Sequence, residues 1–577
     1  MLAVSCVLAV VLIAVAWVGV RGLMAKSELE SAVPLATSVR GKLVEGDTAM
    51  AREEAVKLAD HASAAASLTS DPIWRAFEMI PALGVNLTVV RQLAETTSHV
   101  ATGAVLPLTA AADGISVDDF KPVDGAIDLQ PLVDAQPSVS LAHAALSGAQ
   151  TELAEVESDE AVGPVRDARN QLETVIDGAA ESVDAVDRAI RVIPAMLGVA
   201  GPRNYLVLFQ NPAELRASGG ISGAAALLHT DNGQMQLVKQ VSSAEYVHYD
   251  SPVLDLPVET RGIYGDITGQ YIQDVNLTPN FVQSAELAQE MWRLQFGETV
   301  DGVISIDPVA LSYLLSATGP ITLPTGDVIS SENAVQLLLT DVYARYPKTD
   351  EQDAFFAAAA ASVFSAVAGG NADPIALITA LAQSGAEHRV LVWNADDVDQ
   401  GVLHGTTLAG GLPLADADTE RFGLYLNDAT GAKMGPYLDV QTALGLSSCR
   451  NDGRPNIALD VTLTNTAPAD AATALPNYVT AGGFFGVSPG NIKTNLSVYG
   501  GPGMENRGVT RDGAEVPYHP ATDSGYPVSG VTVELAPGQS DTLRFIWLGE
   551  KPFAGDLELQ MTPVIHRNET KKLEMAC

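Results

Sequence analysis

The segment from Leu2 to Val20 contains no charged residue. Inside a bilayer the backbone must satisfy itself, so an apolar stretch of this length reads as a membrane-spanning helix. A buried core helix is the poorer alternative, because the segment sits at the terminus and has no polar face. A cleaved signal peptide is the closer rival, but a basic n-region is missing and no A-x-A site follows. The missing basic residues ahead of it predict that the start of the chain is short or truncated. Arg21 and Lys26 follow the segment. Taken by charge alone, they would put the bulk of the chain inside the cell. The cysteines and the resemblance below override that signal and predict a single-pass cell-membrane protein, mostly extracytoplasmic.

The chain has 577 residues, of which 47% are hydrophobic, so several folded domains are expected and general disorder is excluded. Its formal net charge of −37 argues against nucleic-acid binding. Of three cysteines, Cys6 lies in the apolar segment, while Cys449 and Cys577 bracket the C-terminal region. No CxxC pair occurs, so zinc and thioredoxin-like readings fail. Two unrelated thiols are one reading of the pair. The expected one is a disulfide between Cys449 and Cys577, which implies an oxidising exterior.

Four regions are predicted. Residues 1–26 form the membrane helix and its flank. Residues 27–199 form an α-helical stalk, with Ala-rich runs and a helix-start signal at Thr69-Ser70-Asp71-Pro72. Residues 200–448 alternate strand and helix, as an α/β domain does. Strands are predicted at Tyr205–Phe209, Ala224–Leu228, Val300–Ile306, Val390–Trp393 and Phe422–Leu426. The Ala-rich run from Ala354 to Ala368 is predicted to be a buried helix. Residues 449–577 carry alternating strands and Gly-containing turns, an all-β sandwich of immunoglobulin-like size.

The stretch most suggestive of a site is YLVLFQNPAELRASGGISG, from Tyr205 to Gly223. After the first strand it is predicted to form a polar loop holding Asn211, Glu214, Arg216, Gly219, Gly220 and Gly223. Asp231-Asn232-Gly233 then marks a hairpin. The glycines either cradle an anion through backbone amides or only permit a tight turn. Arg216 either forks onto a phosphate or carboxylate or pairs with Glu214. Arg345 and Lys348 end a helix, where they favour its dipole or join Arg216 around a phosphate. Asp350, Glu351 and Asp353 follow, as divalent-ion ligands or as a solvated helix start. HExxH, GxSxG and Walker motifs are absent, and the nine histidines are scattered. Asn86-Leu87-Thr88 and Asn495-Leu496-Ser497 match the glycosylation pattern.

The runs NYLVLFQNPAELRASGGISG, NLTPNFVQSAELAQEMW, VDGVISIDPVALSYLLSATGPI and YLNDATGAKMGPYL together resemble a bacterial membrane-anchored family known as domain of unknown function 4012, as far as about Leu446. More distantly, their order is similar to the LytR-CpsA-Psr family. Those enzymes move glycans from polyprenyl-pyrophosphate carriers to the cell wall, with Mg²⁺ and an arginine-rich pocket. VDGVISIDPVALSYLLSATGP matches the middle of their pattern, Asn276 falls at its helix-entry Asn, and Tyr343 and Arg345 match its last segment. Where that family carries Arg-Ser-Asp, this chain has Ile221-Ser222-Gly223. Where it carries Ile-Pro-Arg-Asp, this chain has Ser242-Ser243-Ala244-Glu245.

The resemblance implies an LytR-CpsA-Psr-like α/β fold that has lost most of the cations and the acidic ligand its chemistry needs. The expected function is binding, without turnover, of a phosphate-bearing or lipid-linked glycan, a cell-wall polymer or another envelope component. The expected ligand residues are Arg216, Gly219, Gly220, Asn276, Arg345 and Lys348. A divergent Mg²⁺-dependent phosphotransferase is the alternative, with Glu214, Asp266 and Asp274 as candidate metal ligands. A structural spacer is the third reading.

Overall fold

The computed structural model describes residues 2–116, 120–123, 125–416, 418–566 and 568–576, with side chains from Ala9 onward. The chain divides into two compact units, one of residues 1–121 and 127–200, the other of 122–126 and 201–577.

The first unit is helical: α1 (Leu2–Glu45), α2 (Thr48–Thr69), α3 (Pro72–Phe77), α4 (Gly84–Val100), α5 (Leu106–Ala112), α6 (Gln130–Ala154) and α7 (Gly163–Met196). Helix α1 is long and apolar enough over its first half to cross a membrane. Along it Val18, Ala25, Ala32 and Val39 are buried, a seven-residue repeat. The facing seam on α2 is Ala51, Ala55, Leu58, Ala62, Ala65 and Thr69. A seven-residue apolar repeat keeps one seam against a partner helix, and alanines let two helices approach closely. Gly46, at φ 77°, ends α1, and the Asp47 side chain caps α2 by accepting from the Met50 amide. The predicted start signal at Asp71 holds, since its carboxylate accepts from the amides of Ile73 and Trp74.

The second unit begins with β1 (Arg203–Arg216), β2 (Gly219–Asp231) and β3 (Gln234–Ser242). The Asn232-Gly233 turn has positive φ at both positions, as a two-residue hairpin requires. There follow α8 (Val258–Tyr264), α9 (Phe281–Phe296), β4 (Gly302–Ile306), α10 (Pro308–Thr318) and the small hairpin β5 (Ile321–Thr322) and β6 (Val328–Ile329). Next come α11 (Ala334–Gln336), α12 (Val342–Arg345), α13 (Thr349–Ala368), α14 (Pro374–Ala386), β7 (Val390–Asn394) and α15 (Asp397–Leu403). The sheet order is β3-β2-β1-β4-β7. Strand β1 runs parallel to β4 and antiparallel to β2. Leu206 and Leu208 on one face of β1 pack with Phe281, Leu287, Met291 and Trp292 of α9.

The later strands are β8 (Thr419–Asp428), β9 (Leu438–Ser447), β10 (Asn456–Asn465), β11 (Ile492–Tyr499), β12 (Glu505–Arg511), β13 (Ala514–Glu515), β14 (His519–Asp523), β15 (Tyr526–Leu535), β16 (Ser540–Leu548), β17 (Asp556–Met561) and β18 (Lys571–Lys572). Short helices α16 (Ala471–Ala474) and α17 (Asn477–Thr480) follow β10. The strands form two sheets, β13-β12-β16-β10-β9-β18 and β14-β15-β11-β8-β17, over one shared core that includes Phe422, Leu459, Val498, Phe545 and Trp547. Phe422–Leu426, expected in the α/β sheet, lies instead in β8 of these sheets, paired with β11 and β17. Strand β9 pairs with β10 over its whole length, so the sheet crosses the boundary expected at 448. Cys449 is not without a partner. Its expected partner Cys577 lies outside the described residues.

Candidate functional site

The stretch predicted to be a polar loop is strand. β1 continues to Arg216, only Ala217 and Ser218 turn, and Gly219 pairs with Arg216 and Gly220 with Leu215. The register slips between Asn211 and Leu215, so Pro212, Ala213 and Glu214 bulge out of the ladder. Pro212 donates no amide, which suits a bulge, and the Asn211 side chain steadies the bulge by accepting from the Ala213 amide at 3.0 Å. The glycines are explained by closeness. A Cβ on Gly220 would lie 2.1 Å from the Asn211 carbonyl carbon, and one on Gly219 would lie 2.1 Å from Gln210 Oε1. Asn276, wholly buried, donates from Nδ2 to the Gly220 carbonyl at 2.6 Å. Gly219, Gly220 and Asn276 therefore hold a hairpin together and face no ligand cavity, against the expectation that they would bind one.

Arg216 is also enclosed. It donates to Asp274 Oδ1 from Nε at 3.2 Å and from Nη2 at 3.0 Å, to Glu214 Oε1 at 3.1 Å and to the Leu215 carbonyl at 3.0 Å. The second oxygen of Glu214 accepts from Lys433 Nζ at 2.9 Å. Burial alone would push the Glu214 carboxyl up, but Lys433 and Arg216 together hold it below its ordinary value. Asp274 shares only Arg216, so burial wins and its carboxyl is raised. Asp428, at the end of β8, is pushed up to about 6 by burial and by the Glu214 charge, despite accepting from Thr430. Around this cluster the two sheet systems of the unit interlock. Asn427 accepts from the Ala217 amide at 2.9 Å, and Thr562 donates to the Ala217 carbonyl at 2.8 Å. Gly435 lies where a Cβ would come within 2.2 Å of the Pro212 carbonyl. Three of the runs singled out in the sequence, around Arg216, Asn276 and Lys433, thus meet in one buried junction.

Beside the junction lies a cavity of about 1300 Å³. One wall is the first sheet, through Phe209 to Asn211, Ile221, Gly223 to Ala225, and Gln240 to Ser242. Another is α13, through Gln352, Asp353, Phe356, Ala357, Ala359 and Ala360. The Ala-rich helix is therefore only partly buried as predicted. Gln352, Phe355, Ala359 and Val363 are buried, while Ala357 and Ala360 remain half-buried beside the open space. Small side chains on both walls, Gly223 and Ala224 against Ala357 and Ala360, leave the volume unfilled. At one end Lys433, Glu214, Tyr343, Asn211 and Tyr478 make the polar patch. Asn211 donates to the Tyr343 hydroxyl, and Lys433 Nζ stands 5.8 Å from the Tyr343 ring centre and 5.2 Å from that of Tyr478. At the rim Phe484 and Phe485 are exposed. Burial raises the Tyr343 hydroxyl pKa, so that group stays a neutral donor and acceptor.

The remaining candidates lie elsewhere. Arg345 is half exposed and pairs with Asp327 at 2.8 Å and Asp341 at 3.5 Å, and Lys348 pairs with Glu351 at 3.3 Å on the surface. Neither lines the cavity, and Arg345 does not join Arg216. Asp266 pairs with Arg261 at 2.6 Å, apart from Glu214 and Asp274. These carboxylates do not make an Mg²⁺ site: Glu214 and Asp274 are committed to cations of the protein, and among the described residues no three potential ligands are grouped for a metal. The lining carboxylates are Glu214, Glu245, Asp307, Asp350 and Asp353, of which Asp307 is paired with Arg389 at 2.8 Å, and they outnumber the lining cation Lys433. The sequence reasoning missed Lys433, although it lies within the motif YLNDATGAKMGPYL, and missed the alanines of α13 as a wall.

Together these features define a protein with an N-terminal helix able to cross a membrane and a second unit built around a large apolar cleft. The profile of the family described as protein of unknown function (DUF4012) matches residues 200–343, so the segment from β1 to Tyr343 is similar to that family. Among curated proteins none matches the chain.

Proposed function

We propose that the second unit holds the apolar chain of an envelope lipid, a lipid-linked glycan being the member that the LytR-CpsA-Psr resemblance points to, and holds it without turnover. The observation that carries this is where the departures from that family's pattern fall. Ile221 and Gly223 stand in place of its Arg-Ser-Asp, Ser242 to Glu245 in place of its Ile-Pro-Arg-Asp, and all of these line the cavity. A ligand-sized space lies where that family's pattern carries arginines, and here it is lined by Ile221, Gly223, Ala244 and two serines besides Glu245. Lys433, Tyr343 and Asn211 supply donors for one polar head. Five lining carboxylates against one lysine disfavour a bare phosphate there, and the transferase reading lacks the cations that would stabilise a pyrophosphate leaving group.

In this proposal the protein is anchored by α1 with its bulk outside the cell. The Arg21 charge weighs little against that orientation, because it is spent on Asp71 at 2.8 Å. A Cys449–Cys577 bridge and an immunoglobulin-like role for the sandwich belong to the same reading. Peptide mapping under non-reducing conditions should join the two cysteine peptides, and two free thiols in oxidised protein would count against an extracytoplasmic location.

Photolabelling of the full chain in nanodiscs tests the cavity. Two probes are used, a diazirine-bearing polyprenol and its phosphate-linked N-acetylglucosamine derivative. Labelling should concentrate on residues 349–368 with at least one of them. Labelling confined to α1, with both probes, would remove the cavity from consideration.

A further inference from the structure

We propose that the turn between α3 and α4 is a second membrane contact, seated in the headgroup layer of the leaflet from which α1 emerges. The inference rests on the reading of α1 as a membrane span and is independent of the cavity. Its first support is height. Arg21 directly follows the apolar segment, and it donates to the Leu68 and Ser67 carbonyls at 2.7 Å each while pairing with Asp71. The Trp74 ring lies 3.6 Å from where a Cβ on Gly22 would stand. Val18, still within the apolar stretch, is already buried. The end of α2 and the whole of α3 are thus level with the last turn of the span.

The second support is composition. From α3 into α4 the exposed side chains include Ile73, Met79, Ile80 and Leu83, with Met79 82% exposed, and one cation, Arg75, which reaches back to Glu95 at 3.7 Å. Glu78, the one acid here, is turned inward onto Arg91 at 2.7 Å, so Met79 to Leu83 present no charge. The opposite end of the α1–α2 pair is charged, with Lys42 paired to Glu45 and Arg52 to Asp113. The third is rigidity. A Cβ on Gly84 would lie 1.8 Å from the Glu78 carbonyl oxygen, Ala82 has φ 65°, and the Gly84 amide donates to the Ile80 carbonyl at 2.7 Å. The Asn86 side chain, in one of the two stretches that match the glycosylation pattern, donates to the Ala82 carbonyl and accepts from the Val162 amide at 2.8 Å. A fixed, uncharged, exposed apolar turn beside the end of a span suits the interface between water and hydrocarbon.

The test uses the full chain in liposomes, with Cys6→Ala and one of three reporters, Val11→Cys, Met79→Cys or Val44→Cys, each carrying an environment-sensitive fluorophore. Lipids bearing a nitroxide near the headgroup are the quencher. Val44 lies about 35 Å along α1 from Arg21 at 1.5 Å per residue, and so reports on water. The Met79 reporter should be quenched roughly two-fold or more relative to the Val44 reporter, as a group seated at the interface would be. A Met79 reporter as unquenched as Val44, with Val11 quenched, would overturn the proposal and leave the span intact. An unquenched Val11 reporter would overturn the reading of α1 and the proposal with it.

Discussion

The hairpin tip of β1 and β2 and the cavity wall a few residues back along the same strands solve opposite problems. At the tip Glu214, Arg216 and Asp274 are shut in and paired, with Lys433 bonded to Glu214 from the cavity side, and glycines bring backbone onto backbone. On the wall Gly223, Ala224, Ala357 and Ala360 leave space that nothing in the unit fills. Charged residues and glycines drew attention to the tip as a ligand site, yet their chemistry is consumed by the fold. The alanines, which carry no chemistry, make the room. A buried charge is costly unless paired, so a fully paired cluster is a poor place to look for a free ligand contact.

That contrast can be broken at several points. Arg216→Ala leaves Glu214 and Asp274 short of a cation, and should cost about 3 to 5 kcal/mol. Thermal unfolding of the detergent-solubilised chain should show it, and a variant as stable as the parent would mean the cluster is not structural. Gly220→Ala forces a Cβ into the Asn211 backbone and should cost about 3 kcal/mol or more. Pulse proteolysis measures this, and a neutral result would mean the hairpin relaxes freely.

Asp428 sharpens the comparison through pH. A carboxyl held above its unfolded value binds protons more tightly when folded. Its contribution is therefore most favourable below about pH 4 and is lost as pH rises through about 6, by at most about 3 kcal/mol. Glu214 acts in the other direction and in another window, since its stabilisation is lost only as pH falls below the ordinary carboxylate range. Asp428→Asn should flatten the stability profile between pH 4 and 6 and raise the melting temperature at pH 7. An unchanged profile would show that Asp428 is not the group that titrates. The smallest effect belongs to Arg345→Ala, whose exposed ion pairs are worth about 0.5 kcal/mol or less. A larger loss would restore Arg345 as a functional residue.

Local patterns in the sequence were legible where local chemistry decides. The Asp231-Asn232-Gly233 turn, the Asp71 cap, β4 and β7 all follow from turn residues, caps and short apolar runs. What was not legible depended on distant partners. Pro212 and the charges after it argued for a loop, but Asp274 and Lys433 neutralise those charges from 58 and 219 residues away. Phe422–Leu426 is recognisable as a strand, yet its sheet is set by β11 and β17 far downstream. The cavity was hidden because an Ala-rich helix reads as buried whether it packs flush or stands off a sheet.

The most direct test compares labelling of the full chain by the diazirine-bearing polyprenol in two variants. Ala360→Trp fills the cavity from α13, and Arg345→Ala removes the exposed cation. The account predicts that Ala360→Trp loses most labelling of residues 349–368 and keeps its melting temperature, while Arg345→Ala labels as the parent does. Loss of labelling in Arg345→Ala, with Ala360→Trp unaffected, would contradict it and place the ligand at the surface cations.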